Sequence, residues 1–179
     1  MMPPFLTIEP LTKPAFAPFG TVIETEGTSR LPINQGTTIR FDALTTVDVS
    51  AEGGSPIISL FRSTRRPDPI AIRLLERHPV GSQAFYPLVD AEWLVVVATG
   101  NAGDTAPDFT SLRCFLASGT QGVSYAPGTW HHPLLVLLPE QDFLVVDRAA
   151  PADEAAGQNF DEVWFDGPDG IAAVIHEIK

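Results

Sequence analysis

Short runs of alternating apolar and polar residues make up most of this chain. They are rich in β-branched and aromatic side chains, and Gly, Pro, Asn or Asp separates them. Strands at this spacing are typical of a sandwich or barrel rather than of alternating strands and helices, so the pattern predicts an all-β fold. The predicted strands are Phe5–Glu9, Gly20–Glu24, Thr38–Phe41, Pro56–Arg62, Ile70–Glu76, Ala84–Leu88, Glu92–Ala98, Leu112–Ala117, Val123–Ala126, His131–Leu138 and Asp142–Arg148.

Signals for helices are few. Thr12 can cap a short helix over the following Lys-Pro-Ala-Phe, because proline is tolerated in a first turn. A second helical turn is predicted near Pro151, an exposed loop over Asn101–Phe109, and one more strand or short helix in the tail after Phe165. With 179 residues, 44% of them hydrophobic, the chain is expected to form a single domain over residues 1–179.

Charge and hydropathy narrow the choice of partners. The formal net charge is -11 at pH 7, which would repel a nucleic-acid backbone. No segment approaches the run of about 20 apolar residues that a membrane helix needs, and the N-terminus has no basic segment followed by an apolar one. We therefore expect a cytoplasmic protein without nucleic-acid or membrane partners. A small anionic substrate fits only where arginines are placed locally, since guanidinium binds a carboxylate by two hydrogen bonds.

The segment LERHPVGSQAFYPL carries the first polar cluster. On a strand, residues two apart share a face, so Glu76 and His78 point the same way and Arg77 points opposite. A turn then precedes Gln83, which allows three polar groups to converge in one cavity. The alternative is structural: Glu76 forms a salt bridge, His78 lies hydrogen-bonded at a rim, and Gln83 caps a turn.

The segment GVSYAPGTWHHPLL carries the second cluster. Pro127 and Gly128 predict a turn, and alternation then places His131 on one face and His132 on the other. Only one of the two faces a barrel interior if the strand is regular, although a bulge at Pro133 would relax this. Three of the four histidines lie in the two clusters, so the groups that exchange protons near neutral pH are concentrated there.

Together the two clusters resemble the paired motifs of the cupin superfamily, G-x5-H-x-H-x3-4-E-x6-G and G-x5-P-x-G-x2-H-x3-N. In that superfamily three histidines and a glutamate hold a metal inside a jelly-roll barrel. Here Glu76 stands at the first histidine, His78 matches the second, Gln83 replaces the glutamate and His131 matches the last histidine. The resemblance implies a cupin jelly-roll barrel, with the one or two short helices above. His78 and His131 are the expected ligands of any metal, and glutamine is a neutral, weak one.

More narrowly, the chain resembles the ureidoglycolate lyase family, formerly called ureidoglycolate hydrolase. The matching segments are FGTVIET, INQG, LERHPVGSQAFYPL, EWLVVVATG, PDFTSLRCFLASGTQGVSYAPGTWHHPL and DFLVVDR, in family order from about Phe16 to Arg148. The resemblance implies a homodimeric lyase of allantoin and purine degradation that splits ureidoglycolate into glyoxylate and urea. It also implies a divalent metal, with nickel the usual suggestion.

Elimination of urea requires a base for the substrate hydroxyl and an acid for the departing nitrogen, and one imidazole can serve as either near neutral pH. His131 is the first candidate and Glu76 the second. His78 is an alternative partner or a metal ligand. His132 takes the role if it is the histidine that faces the cavity.

The substrate carboxylate requires a cation. The resemblance favours Arg40, which follows INQG, with Arg148 and Arg77 as further candidates. The alternative for each is a strand arginine that points to solvent or pairs with a surface acid. Asn34 and Gln83 are candidates for the ureido group, because amides both donate and accept hydrogen bonds.

Two other functions fit a cupin-like chain. A metal-dependent oxygenase or isomerase would hold a stoichiometric metal on His78 and His131 and would lose activity with chelators. A non-catalytic small-molecule-binding protein would use the same cavity without turnover. Formation of glyoxylate from ureidoglycolate separates the lyase from both.

Overall fold

The structure is a computed structural model that describes residues 3–153, 155 and 158–176. Within these residues the chain forms sixteen strands, one short α-helix and 3-10 turns at Asn34–Gly36, Ala51–Gly53, Phe109–Ser111 and Pro168–Gly170. The helix α1 is Lys13–Phe16. The strands are β1 (Ile8–Pro10), β2 (Gly20–Ile23), β3 (Arg30–Ile33), β4 (Thr38–Phe41), β5 (Ser55–Thr64), β6 (Ile70–Ile72), β7 (Leu74–Arg77), β8 (Gln83–Pro87), β9 (Trp93–Ala98), β10 (Arg113–Ala117), β11 (Gly122–Tyr125), β12 (Trp130–His131), β13 (Leu135–Val136), β14 (Glu140–Ala149), β15 (Asp161–Trp164) and β16 (Ala173–Ile175).

Two large sheets form the body of the protein. One has the order β1-β10-β9-β12-β7-β15, with β13 also paired to β9, and the other has the order β2-β11-β8-β14-β5. Inward side chains of both sheets meet in one core, which includes Trp93, Phe115, Phe85 and Phe143. The predicted all-β fold class is therefore confirmed, and the two facing sheets match the jelly-roll barrel that the cupin resemblance implies.

Strand β9 explains an apolar run that lacks alternation. Trp93, Val95 and Val97 pack in the core between the two sheets, whereas Leu94 and Val96 pack in a second core on the other face. That second core includes residues of β6 and β16, which form a small sheet of their own. Both faces of β9 are covered, so apolar side chains are required at every position.

Local sequence signals predicted most of the secondary-structure elements correctly. The side chain of Thr12 accepts a hydrogen bond from the amide of Ala15 at 3.3 Å, as expected of a helix cap. The segment 101–109 is a loop up to the 3-10 turn that starts at Phe109, and the tail contributes β16. The helical turn predicted near Pro151 runs into residues 154, 156 and 157, which lie outside the described residues.

Other strand predictions differ from the structure. The run predicted from Ile70 to Glu76 is two strands, β6 and β7, that belong to different sheets. The run predicted from His131 to Leu138 is interrupted between β12 and β13. Strands β3 and β15 were not predicted, and β15 pairs with β7 beside the first polar cluster.

Strands β3 and β4 form a hairpin whose strands pair with no other described strand. Leu31 and Ile39, on the two strands of the hairpin, are 49% and 38% exposed. Strand β5 is the last strand of its sheet, and Ile58 and Leu60 on it are 72% and 67% exposed. No helix among the described residues is long and apolar enough to cross a membrane.

The core between the sheets predicts that one aromatic side chain contributes strongly to the free energy of unfolding. Phe143 is fully buried, and its ring meets that of Trp93 edge-on at 4.9 Å. Phe143→Ala should lower the free energy of unfolding by about 3–5 kcal/mol, because it removes burial and leaves a cavity. Phe5→Ala, at a residue that is 55% exposed, should cost less than about 1 kcal/mol. Unfolding in guanidinium chloride measures the free energy of unfolding of both variants. Equal decreases in the two would contradict this account of the core.

Candidate active site

Glu76 and His131 face each other at the centre of the barrel. They are directly opposite on the antiparallel strands β7 and β12, and His131 Nε2 lies 3.6 Å from Glu76 Oε1. That separation is longer than a hydrogen bond, and the two groups attract each other electrostatically when the imidazole is protonated. Burial is the largest single influence and raises the pKa of Glu76, but the combined effects of His131, His78 and His132 outweigh it, with His131 contributing most. The pKa of Glu76 is therefore below its ordinary value.

A turn joins the two polar clusters. The amide of Gly128 donates to the carbonyl of His78 at 2.9 Å, which ties the turn before β12 to the end of β7. Gly128 has a φ of 80°, in the left-handed region that glycine adopts without strain. The predicted Pro127-Gly128 turn therefore also brings His78 and His131 together, with ring centroids 5.7 Å apart.

Backbone carbonyls fix the tautomers of the three histidines in the barrel. Nδ1 of His78 lies 2.9 Å from the carbonyl of Asn159, and Nδ1 of His131 lies 2.8 Å from that of Thr129. Nδ1 of His132 is likewise 2.7 Å from the carbonyl of Pro133. A carbonyl only accepts, so each Nδ1 carries the proton and each neutral ring keeps a lone pair on Nε2. His131 Nε2 is buried without a hydrogen-bond partner among the described residues.

Two of these histidines are held neutral. Burial lowers the pKa of His132 to about 4, and nearby Arg66 adds to the effect. Burial, followed by the field of His131, also lowers the pKa of His78. Both rings are therefore uncharged near neutral pH and present acceptor nitrogens.

The main cavity has a volume of about 700 Å³. Glu76, Gln83, Tyr125, His131 and His132 line its interior. The ring of Tyr125 stacks on that of His131 at a centroid distance of 4.1 Å and holds it in place. Strand β12 ends at His131, and this break allows both histidines to line the cavity.

A second cavity of about 250 Å³ lies on the other side of Gln83. Gln83 lines both cavities, whereas His78, Asp147 and Arg148 line the second. Burial raises the pKa of Asp147, while the neighbouring Gln83 amide and the field of His78 oppose the rise. Asp147 and Tyr125 are polar residues of the barrel interior that the motifs did not identify.

The residues predicted to bind the substrate carboxylate or ureido group do not meet at one site. Arg40 and Asn34 are exposed on the β3–β4 hairpin, where Arg40 pairs with Asp42 at 2.6 Å, and neither lines a described cavity. Arg148 is buried and donates to the carbonyl of Ala51 at 3.1 Å. The three arginines that line the main cavity were not predicted: Arg62, Arg65 and Arg66.

Arg77 lies outside the barrel, as alternation predicts. Its guanidinium is 2.7 Å from Asp161, 3.1 Å from Asp104, and stacked over the ring of Trp130 at 4.5 Å. These contacts satisfy its charge away from the cavities. Arg77 therefore supports the pairing of β7 with β15 rather than the site.

Glu76, His78 and His131 form a possible metal-binding triad. One ligand atom from each residue lies within 4.8 Å of the others. Two imidazoles and one carboxylate suit a divalent transition metal. The Nδ1–H groups of both histidines donate to carbonyls, which is the usual support for an Nε2 ligand. The residues therefore fit a metal.

Comparison with known proteins assigns the family. The family model described as ureidoglycolate lyase matches residues 3–172. The ureidoglycolate lyase of Burkholderia mallei strain NCTC 10229 is 51% identical over 169 residues, which cover 94% of this chain and 97% of that protein. That of Burkholderia cepacia is 54% identical over 149 residues, 83% and 82% of the two chains. That of Pseudomonas fluorescens strain Pf0-1 is 45% identical over 172 residues, 96% and 98%.

These matches run through both polar clusters and nearly the whole barrel. The chain is therefore an enzyme of the lyase class, and it belongs to the ureidoglycolate lyase family.

Proposed function

We propose that this protein is a cytoplasmic enzyme that eliminates urea from ureidoglycolate and releases glyoxylate, a step of allantoin and purine degradation. The observation that carries the proposal is the facing pair of Glu76 and His131 in a cavity that fits a small molecule. The family assignment supports the substrate. The geometry supports acid-base chemistry, because a buried imidazole with a free Nε2 lies beside an ionised carboxylate.

His131 is the proposed acid-base residue. Its Nε2 takes the proton of the substrate hydroxyl, the O–H electrons form the carbonyl of glyoxylate, and the carbon–nitrogen bond breaks. The imidazolium then returns the proton to the departing urea nitrogen, so protons and electrons balance. Glu76 stabilises the imidazolium, since its lowered pKa keeps it ionised across the 3.6 Å gap.

A metal would change the role of His131. A divalent ion held by Glu76, His78 and His131, nickel by the family resemblance, would supply a Lewis acid in the cavity. His131 Nε2 cannot then accept a proton, because its lone pair is engaged. His132 would be the remaining base in the same cavity. The triad also favours a second candidate function, that of a metal-dependent oxygenase or isomerase.

The exposed hairpin supports a homodimer. Its strands pair only with each other among the described strands, and apolar side chains are exposed on it and on the terminal strand β5. Unpaired edges and apolar patches of this kind are usually covered in native proteins. We propose that a second copy covers them, and that Arg40 of each copy reaches the cavity of the other and binds the substrate carboxylate.

The lyase proposal predicts the effect of removing His131. His131→Ala should reduce glyoxylate formation from ureidoglycolate by about 10²- to 10⁴-fold, because the acid-base group is lost. His176→Ala is the control, since that histidine stacks on Phe5 away from both described cavities and should leave turnover unchanged. Glyoxylate is followed as its hydrazone. Wild-type protein that forms none above the spontaneous rate would refute the lyase function.

The triad predicts one bound metal per chain. Protein loaded with nickel should lose it after His78→Ala, because two of the three donors do not make a stable site. His176→Ala should keep the metal, and elemental analysis measures both. If the protein still turns over after the metal is removed, His131 is the base. If turnover requires the metal, His132 is the base. Equal nickel content in wild type and His78→Ala would contradict the proposed ligands.

The homodimer proposal predicts complementation between two inactive variants. His131→Ala and Arg40→Ala homodimers should each turn over poorly at low substrate concentration. Mixing with subunit exchange should restore about one quarter of wild-type activity, because half of the dimers are mixed and each has one intact site. No recovery would show that Arg40 does not act across the dimer. A raised KM in Arg66→Ala would then assign carboxylate binding to the arginine that lines the cavity of its own chain.

A further inference from the structure

Three polar side chains lie in a row across the inner face of the β2-β11-β8-β14-β5 sheet. Tyr125 on β11 pairs directly with Gln83 on β8. On the other side of β8, Val145 pairs with Phe85 and Val146 with Ala84. The same register continues to Gln83 and Asp147, and the neighbouring Gln83 amide counteracts the rise that burial causes in the pKa of Asp147.

Asp147 and Gln83 are cross-strand neighbours on the inner face of the sheet. An ionised carboxylate only accepts hydrogen bonds, so only the NH₂ end of the Gln83 amide can bond to Asp147. The carbonyl oxygen of Gln83 is then left for another donor. Gln83 is 6% exposed, and its Oε1 has no hydrogen-bond partner among the described residues.

A second acceptor lies beside the first. Oδ1 of Asp147 is also buried without a partner in the part of the chain that the structure describes. Buried acceptors without a donor are costly, so a pair of them indicates a ligand that donates. Gln83 lines both cavities and Asp147 lines the second, so the pair borders the second cavity.

We propose that Gln83 Oε1 and Asp147 Oδ1 bind the N–H groups at the ureido end of the substrate, and that Asp147 determines specificity for that group. This inference rests on the proposed lyase function. A ureido group offers donors on both nitrogens, which matches two neighbouring acceptors. Gln83 also lines the main cavity, so a substrate held there extends towards Glu76 and His131.

Two stable compounds isolate this recognition from catalysis. N-carbamoylglycine has the carboxylate and ureido group of the substrate but lacks the hydroxyl, so it cannot eliminate urea. N-acetylglycine is nearly the same size and has a methyl group in place of the terminal NH₂. The wild-type protein should bind N-carbamoylglycine at least about tenfold more tightly, because the methyl group leaves buried acceptors unpaired.

Two substitutions test the acceptor pair by calorimetric titration with both compounds. Asp147→Asn replaces one of two acceptor atoms by a donor, so either Gln83 or the ligand loses its partner. Gln83→Met keeps the length of the side chain but removes the amide. Each should reduce the preference for N-carbamoylglycine to less than about threefold. Asp147→Asn should also raise KM for ureidoglycolate more than it lowers kcat.

Asp142→Asn is the matched control. It makes the same change on the same strand, but Asp142 faces outward and pairs with Arg62 at 2.8 Å. If the substitution disturbs Arg62, it should change the binding of the carboxylate, which both compounds have. The preference for N-carbamoylglycine over N-acetylglycine should therefore be unchanged. Thermal unfolding checks that each variant is folded.

Two results would overturn the inference. One is a wild-type protein that does not bind N-carbamoylglycine or does not prefer it. The other is a preference that persists in folded Asp147→Asn and Gln83→Met. Neither depends on turnover, whereas the lyase proposal fails only when the wild-type protein forms no glyoxylate. The two failures are therefore distinguishable.

Discussion

The pairing of β7 with β12 is the contact on which the rest of the site depends. It sets Glu76 opposite His131, and the bond from the amide of Gly128 to the carbonyl of His78 holds the adjoining turn. Side chains of an antiparallel pair on one face must meet, because their Cβ atoms are only about 4.5–5.5 Å apart. A slip of one residue would turn Glu76 outward and bring Arg77 into the cavity. The contacts of Arg77 with Asp161 and Trp130 on the outside oppose that slip.

Burial of polar groups in this barrel is compatible with folding because most of their hydrogen bonds are internal. Each histidine of the interior gives its Nδ1 proton to a backbone carbonyl, and Tyr125 supports His131 by stacking. Four buried acceptors still lack partners among the described residues. Three of them belong to residues that line the two cavities: His131 Nε2, Gln83 Oε1 and Asp147 Oδ1. Such groups destabilise the empty protein, and a bound ligand can satisfy them. Three of the four atoms that weaken the fold in this way therefore lie on residues that line a cavity.

Much of this arrangement follows from local sequence rules. Alternation placed Glu76 and His78 on one face and Arg77 on the other, and the same rule would have found Asp147, two and four residues beyond the buried Val145 and Phe143. The remainder depends on contacts between distant segments. Strand β12 breaks after His131, and His132 lines the cavity although its amide still donates to the carbonyl of Val96 on the distant strand β9. Likewise, no local pattern indicates that the hairpin carrying Arg40 and Asn34 stands apart from the barrel.

The amide at Gln83, where the cupin motif has a glutamate, has a physical reason in this barrel. A carboxylate at that position would lie against Asp147, and two adjacent buried carboxylates cannot both ionise without a large penalty. Glutamine avoids the repulsion, and its amide counteracts the rise that burial causes in the pKa of Asp147. The exchange therefore replaces an anionic metal ligand by a neutral amide. Such a site keeps three candidate metal ligands, Glu76, His78 and His131, rather than four strong ones.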